Sequence, residues 1–146
     1  METKTIAING NKVRYFHGGT GKPLLFLHGW PTNPQTYRHG LELLADSFTV
    51  YAPFMFDMNC SSTREIAEGV RKFCRALNIK AAAVAGISFG GGVAALLSHD
   101  KKLVSKLVLI NTAGVPRQAS FARMLVNLIR SSLLMLASGK ARPLEN

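Results

Sequence analysis

The sequence predicts an α/β protein in which a mostly parallel sheet carries an N-terminal β-hairpin and is flanked by helices. Three observations lead to this prediction. An Asn-Gly pair separates two strand-like runs, a continuous apolar run follows, and strand-like and helix-like segments then alternate along the chain. A helix between two strands returns the chain to the end of the sheet where it started, so this alternation places the strands parallel.

Each element has a local signal. Asn9 and Gly10 favour a type I′ turn, which predicts a hairpin between the runs on either side. The PLLFL run at 23–27 contains no polar residue, which is typical of a strand covered on both faces. Ser62 and Glu65 form a capping box at the start of a helix. The predicted strands are 4–8, 12–17, 23–27, 48–52, 81–85 and 103–111, and the predicted helices are 34–46, 62–77 and 90–98.

Composition narrows the class of protein. A chain of 146 residues with 47% hydrophobic and 18% charged content is one domain in size and can bury a core. The formal net charge of +10 favours anionic partners such as nucleic acid, acidic lipid or an acidic substrate. Basic residues are not interleaved with aromatic ones in a run, so we expect no nucleic-acid partner.

Cysteine usage and hydropathy point to a cytoplasmic protein. Cys60 and Cys74 form neither a disulfide framework nor a metal-ligand spacing, so we expect reduced thiols, no metal and no cofactor. The N-terminus lacks an apolar signal-peptide region, and no stretch of 18 uncharged apolar residues occurs. We therefore expect neither secretion nor a membrane span.

Ser88 lies between a buried strand and a helix, in a G-x-S-x-G pattern formed with Gly86 and Gly90. The turn is so tight that a side chain at either glycine would collide with backbone, and the serine takes a strained conformation that exposes its Oγ. The following helix directs free N–H groups at any anion formed there. The alternative is a helix-capping serine beside glycines needed for helix–sheet packing. The strand–turn–helix context favours Ser88 as a nucleophile.

The segment His28-Gly29-Trp30-Pro31 follows the PLLFL strand directly, so its loop should open at the same edge of the sheet as Ser88. We expect the amides of Trp30 and Phe89 to converge there as an oxyanion hole. The alternative places Trp30 in the core as a packed aromatic, and Trp30 can serve both roles. For His28 we expect a buried structural histidine rather than a proton-transfer group.

With these residues in place the chain resembles the α/β-hydrolase family over roughly residues 4–116. The resemblance implies that Ser88 is a nucleophile that forms an acyl-enzyme with a small acyl substrate, meaning an ester, a thioester or a carbon–carbon bond beside a carbonyl. The HGWP loop is also similar to that of epoxide hydrolases and haloalkane dehalogenases, but those carry an aspartate at the elbow. The segments that carry the resemblance are Leu27-His28-Gly29-Trp30-Pro31, Val50-Tyr51-Ala52-Pro53, Gly86-Ile87-Ser88-Phe89-Gly90-Gly91 and Leu107-Val108-Leu109-Ile110-Asn111-Thr112-Ala113.

The chain departs from the family in its catalytic base. A serine needs a histidine to take its proton and a carboxylate to orient that histidine, and in this fold both follow the serine. His99 lies about eleven residues down the helix, roughly 16 Å from Ser88, which exceeds hydrogen-bonding reach. The sequence therefore supplies no credible base. Its other candidates are Asp100 and Glu145 after the serine, and His17 and His39 before it.

A second departure is the loop at 54–61, which runs FMFDMNCS where the family usually has a glycine-rich loop after its Ala-Pro pair. We expect an altered pocket wall there.

The resemblance also implies that the 146 residues correspond to about the first half of such a hydrolase, ending before its last two strands. Residues 1–116 would form the N-terminal part of the core, and 117–146 a basic amphipathic helix that begins a cap or forms a C-terminal tail. That helix could be a lid, lie on a membrane surface, or pack on the core. Its apolar positions include Phe121, Met124, Leu125, Leu128 and Leu136.

Three functional hypotheses follow. The first is a serine hydrolase, of which this chain is the nucleophile-bearing part. The second is a truncated, non-catalytic paralogue that acts by binding or oligomerisation. The third, less favoured, is a peripheral membrane-binding protein. Without further strands, the apolar run 107–110 would be an exposed edge, and we expect it to promote self-association.

Overall fold

The computed structural model describes residues 1–112. Its strands are β1 (Glu2–Ile8), β2 (Asn11–Gly18), β3 (Lys22–Leu27), β4 (Phe48–Pro53), β5 (Ala82–Ile87) and β6 (Val104–Ile110). Its helices are α1 (Arg38–Ala45), α2 (Thr63–Ala76) and α3 (Phe89–Leu97), with two 3-10 turns at Pro34–Tyr37 and Met55–Met58. The helix predicted for 117–146 lies outside the described residues.

The strands form one sheet in the order β1-β2-β4-β3-β5-β6. The pairs β1–β2 and β2–β4 are antiparallel, whereas β4–β3, β3–β5 and β5–β6 are parallel. This arrangement confirms the predicted fold class, a mostly parallel sheet that begins with a hairpin. Strands β4, β3 and β5 are adjacent and parallel, so their C-terminal ends lie at the same end of the sheet. The loops that follow these three strands meet there.

The hairpin turn and the PLLFL strand form as their sequences predict. Asn9 and Gly10 have φ of 51° and 78°, as a type I′ turn requires. Along β3 the side chains alternate between two clusters on opposite faces of the sheet. Leu25 and Leu27 pack with residues of α2 and α3, while Leu24 and Phe26 pack with Leu41 of α1.

Helix α2 begins where a polar side chain satisfies one of its free amides. The side chain of Ser62 accepts a hydrogen bond from the Glu65 amide at 3.2 Å, which confirms the predicted cap of α2. The Glu65 carboxylate accepts from the amide of Ser61, one residue earlier than a reciprocal capping box would place it. The single helix predicted for 34–46 is wrong in detail, because Pro34–Tyr37 is a 3-10 turn and α1 begins only at Arg38.

Strand β6 is an open edge in the described part of the chain. It pairs with β5 on one side, and no described strand pairs with its other side. Its four consecutive apolar side chains are exposed by 38–47%, although they belong alternately to the two faces: Leu107, Val108, Leu109 and Ile110. Within residues 1–112 no helix is long and apolar enough to cross a membrane.

Candidate active site

Ser88 lies on the turn between β5 and α3 with φ of 50° and ψ of −115°. A non-glycine residue held in such a conformation costs on the order of 1–3 kcal/mol, so the surrounding contacts must hold it there. The Ser88 amide donates to the carbonyl of Ile110 at 2.9 Å, and the Gly91 amide donates to the Ser88 carbonyl at 3.0 Å. Among the described residues, the Ser88 side chain makes no capping hydrogen bond to α3. The helix-capping alternative is therefore wrong.

The two elbow glycines are required by close backbone approach. A Cβ atom on Gly86 would overlap the carbonyl group of Gly90. A Cβ atom on Gly90 would overlap the carbonyl oxygens of Leu27 and His28, at the end of β3. The structure thus confirms the predicted collision at both positions. This tight packing places the start of α3 directly against the end of β3, the strand that precedes the His28–Pro31 loop.

The loop after β3 lies directly against the serine. A Cβ atom on Gly29 would lie 3.3 Å from the Cβ of Ser88 and 3.7 Å from the hydroxyl of Tyr37. Thr32 Oγ1 donates to the Gly29 carbonyl at 2.9 Å and lies 3.1 Å from the Tyr37 hydroxyl. Thr32 and Tyr37 therefore hold the loop in place, and no motif in the sequence identifies either residue.

The placement of Trp30 corrects one prediction. Its side chain is 69% exposed, so the expectation that the ring also packs in the core is wrong. The residue lies immediately after Gly29, on the loop beside Ser88, and the Trp30–Pro31 peptide bond is cis. Phe89 follows Ser88 directly at the start of α3. The two amides assigned to an oxyanion hole thus belong to the two loops that meet at the serine.

His28 is fully buried, and backbone groups engage both of its ring nitrogens. Nδ1 lies 2.9 Å from the Gly29 carbonyl, and Nε2 lies 3.1 Å from the amide of Met55. Since an amide can only donate, Nε2 accepts, and Nδ1 carries the proton that it donates to Gly29. Burial lowers the pKa of this imidazole below its ordinary value. His28 is therefore the structural residue that we expected, and it joins the loops after β3 and β4.

We expect the burial of His28 to make the free energy of unfolding depend on pH. The buried imidazole stays neutral while the unfolded chain takes up a proton near the ordinary pKa of about 6.5, so stability should fall as pH drops below that value. His28→Gln should be less stable at neutral pH, since it leaves buried backbone groups unpaired. Its melting temperature should also change less between about pH 7.5 and 5.5.

The matched control for this prediction is His39→Gln, on the exposed surface of α1, which should keep the parent's pH dependence. An undiminished pH dependence in His28→Gln would contradict the assignment.

The loop after β4 forms an aromatic wall beside the serine. The ring centroid of Phe56 lies 5.2 Å from that of His28 and 5.9 Å from that of Phe89. The loop is fixed by Asp57, whose two carboxylate oxygens accept from the Arg14 guanidinium at 2.7 and 2.8 Å. The Arg14 hydrogen bonds hold the pKa of this carboxyl below its usual range. In the loop where we expected an altered pocket wall, the Phe56 ring thus lies against His28 and Phe89.

His17 and His99 make no recorded contact with Ser88 in the described residues. His17 Nδ1 lies 3.3 Å from the Val50 carbonyl, and its ring packs on Tyr51 with centroids 4.8 Å apart. His99 is exposed beyond the end of α3. In the described part of the chain, no histidine or carboxylate is hydrogen bonded to Ser88.

Comparison with known proteins places this geometry in a family. A family model described as the alpha/beta hydrolase fold matches residues 22–136. The chain belongs to the alpha/beta hydrolase family. Over 112 residues it is 33% identical to a soluble epoxide hydrolase of Corynebacterium sp. (strain C12), a match that covers 71% of this chain and 39% of the relative.

Further matches show how broad the likeness is. The chain is 34% identical over 116 residues to the dihydrolipoyllysine-residue acetyltransferase component of the acetoin cleaving system of Cupriavidus necator, covering 73% of this chain and 31% of that protein. The solved structure of the epoxide hydrolase CorEH without ligand matches with a TM-score of 0.70 and 26% identity, covering 88% of this chain and 50% of that one. The epoxide hydrolase VrEH1 of Vigna radiata, at 19% identity and a TM-score of 0.69 over 89% of this chain and 45% of that one, shares the fold.

The chain spans 39–40% of the length of the first curated relatives that it matches. Residues 22–136, which the family model matches, contain the elbow and the loop after β3.

Proposed function

We propose that this chain is the nucleophile-bearing part of a serine hydrolase that acts on a small acyl substrate through an acyl-enzyme on Ser88. The observation that carries the proposal is the conformation of Ser88. It is a non-glycine residue at φ of 50°, wedged between Gly29 and α3, with its hydroxyl not used to cap the helix. Strain of this kind persists where a group must be presented for a reaction.

In the proposed reaction the Ser88 Oγ attacks the acyl carbonyl carbon and its proton passes to a base. The carbonyl oxygen becomes an oxyanion, which accepts hydrogen bonds from the amides of Trp30 and Phe89. The bond to the leaving group then breaks, and the leaving group takes the proton. Water hydrolyses the acyl-serine and restores the hydroxyl. The base comes from outside residues 1–112, because His28 is committed to the backbone of Gly29 and Met55.

The side chains around Ser88 favour an apolar acyl group. Each of the three loops that meet there contributes an aromatic residue: Trp30, Phe56 and Phe89. Trp30 and Phe56 are exposed by 69% and 42%, respectively. On the loop after β4, the charges of Asp57 and Arg14 are paired with each other, so this ion pair offers no free charge to an acidic substrate. The elbow residue is a serine, which favours an acyl-enzyme over the alkyl-enzyme that an aspartate would form.

The competing proposal is a non-catalytic paralogue that acts by binding. The observation that favours it is that the described residues hold no base within hydrogen-bonding reach of Ser88. It requires that the strained serine serves no reaction, and covalent labelling separates the two proposals.

We expect a fluorophosphonate probe to label the chain slowly at Ser88, detected as an adduct in intact-mass spectrometry. Oxyanion donors and binding alone retain roughly 10³–10⁴-fold of catalysis over water in triad knock-outs, which is enough for a strongly electrophilic probe to react over hours. Ser88→Ala should lose the adduct.

The matched control is Ser61→Ala, which removes an exposed serine from a neighbouring loop and should label like the parent. Equal labelling of Ser88→Ala would refute the proposal, and so would no labelling of the parent.

A further inference from the structure

The described part of the chain carries more cations than its own carboxylates neutralise. Residues 1–112 contain thirteen lysines and arginines, and the ion pairs among these residues engage only four of them: Lys4, Arg14, Arg38 and Arg71. Like charges without partners repel one another, so a place where they gather indicates where an anion can be accommodated.

Three of the remaining cations line one cavity, which forms where α2 ends and where the chain enters β5 and β6. They are Arg75, Lys80 and Lys102, and all three side chains are exposed. The cavity has a volume of about 630 Å³, within the range of about 300–1,000 Å³ that is typical of small-molecule sites. It lies at the opposite end of β5 from Ser88, about 20 Å away along the strand. None of its lining residues belongs to β6.

The single carboxylate among these lining residues, Asp100, is engaged by the backbone. Its Oδ1 accepts hydrogen bonds from the amides of Lys102 and Leu103, both at 3.1 Å. A fourth cation of the wall, Arg71, forms an ion pair with Glu68. Apart from that pair, three cations and one carboxylate leave the cavity with a net charge of +2.

One of the three cations has a second explanation, but the other two do not. Arg75 lies in the last turn of α2, where a cation stabilises the free carbonyl groups of the helix. Lys80 and Lys102 lie on connections beyond the helices, and the Ala81 amide holds the two connections together by donating to the Lys102 carbonyl at 3.0 Å. Ala81 has φ of 48°, a value that alanine rarely adopts. Residues held in such conformations cluster at ligand sites, and this one brings two lysines side by side.

The floor of the cavity is apolar. It contains Cys74, Ile79 and Leu103, whose exposed fractions are 6% or less. Burial raises the pKa of the Cys74 thiol to about 12, so the thiol adds no negative charge at neutral pH. The methylene stems of the long basic side chains extend this apolar surface toward the rim. A ligand that fits the cavity therefore carries an anionic group for the rim and an apolar body for the floor.

We propose that this cavity binds a phosphate monoester with an apolar ester group. Such a phosphate carries a charge of about −1.5 to −2 at pH 7, which matches the net charge of the cavity. It presents three terminal oxygens, one for each of Arg75, Lys80 and Lys102, whereas a carboxylate has two oxygens and a single charge. The ester group then covers Ile79 and Leu103.

The test is the binding of phenyl phosphate to the 146-residue chain, measured by isothermal titration calorimetry. We expect one site per chain, with a dissociation constant that rises as salt is raised from about 50 to 200 mM. Inorganic phosphate should bind at least about fivefold more weakly, because it leaves the apolar floor uncovered. Lys80→Gln and Lys102→Gln should each raise the dissociation constant of phenyl phosphate at least about fivefold, because each removes a charge-assisted hydrogen bond. Both positions are exposed, so the melting temperature should stay close to the parent's.

Lys12→Gln is the matched control, since it removes the same charge from an exposed position on β2, outside the cavity. It should leave the dissociation constant unchanged. The proposal is wrong if phenyl phosphate does not bind at about 10 mM, a concentration at which even weak specific sites fill. It is also wrong if inorganic phosphate binds equally well, or if Lys12→Gln weakens binding as much as Lys102→Gln does.

Vesicles distinguish a lipid from a soluble ester, because phosphatidic acid also carries a phosphate monoester. The chain is sedimented with phosphatidylcholine vesicles, with and without phosphatidic acid. Binding that requires phosphatidic acid and that Lys102→Gln weakens would support a lipid ligand, and no such binding beside binding of phenyl phosphate would support a soluble one. Vesicle binding without binding of phenyl phosphate would overturn the proposal, because a charged surface is enough to explain it.

Discussion

The 146-residue chain is expected to hydrolyse p-nitrophenyl acetate at no more than about 10³–10⁴-fold above the rate in water, the level left to serine hydrolases without a working triad. Free imidazole is expected to raise the Ser88-dependent rate roughly tenfold or more. A positioned general base contributes about 10²–10⁴-fold, and a diffusing one forfeits part of that gain because it is not held in place.

The measurement must separate the protein's rate from imidazole's own attack on the ester, so Ser88→Ala at each imidazole concentration is the blank. The rescue should follow the neutral form of imidazole as pH rises, because only that form can accept a proton. Robust Ser88-dependent turnover without imidazole would contradict this account and would require a base among residues that we assign to structure. A rate that imidazole does not change would show that the serine is not limited by proton removal.

Gly90→Ala is expected to destabilise the protein by more than about 3 kcal/mol, whereas Gly40→Ala should stabilise it by about 0.5–1 kcal/mol. At Gly90 the added methyl would overlap the backbone carbonyl oxygens of Leu27 and His28, and neither can move without shifting β3. At Gly40, in the first turn of α1, the methyl meets nothing within 4 Å and removes conformational freedom from the unfolded chain.

The two variants carry the same chemical change, so their difference isolates the close approach at the elbow. Chemical denaturation of both, with the parent, is the appropriate measurement, since the midpoint reports stability when the slope is unchanged. A Gly90→Ala protein as stable as the parent would mean that α3 can move away from β3. In that case the elbow would not be rigid enough to hold Ser88 at positive φ.

Local signals in the sequence were sufficient to predict the order of strands and helices and the main turns. The hairpin turn, the PLLFL strand and the strand–turn–helix around Ser88 each follow from residues that are adjacent in the chain, and all three form as predicted. The cap on α2 belongs to the same class. These features depend on backbone sterics and on the order of apolar and polar residues, and both can be read from a single sequence.

Features that depend on distant residues were not predictable. The bond from the Met55 amide to His28 crosses 27 positions in the chain, and the pairing of Arg14 with Asp57 crosses 43. The residues around each partner contain no signal that identifies the other partner. Trp30 illustrates the opposite error, because a tryptophan beside a buried strand suggests burial, yet its loop leaves the core at that point and the side chain is exposed.

Ser88 follows β5, the last strand but one before the open edge, and this position limits where a missing base could come from. A strand laid beside β6 would be two strand spacings from β5, about 9.5 Å, and a second one would be about 14 Å away. Only a parallel strand would end on the side of the sheet where the serine lies. A histidine from that direction must therefore travel laterally on an extended loop to reach the hydroxyl.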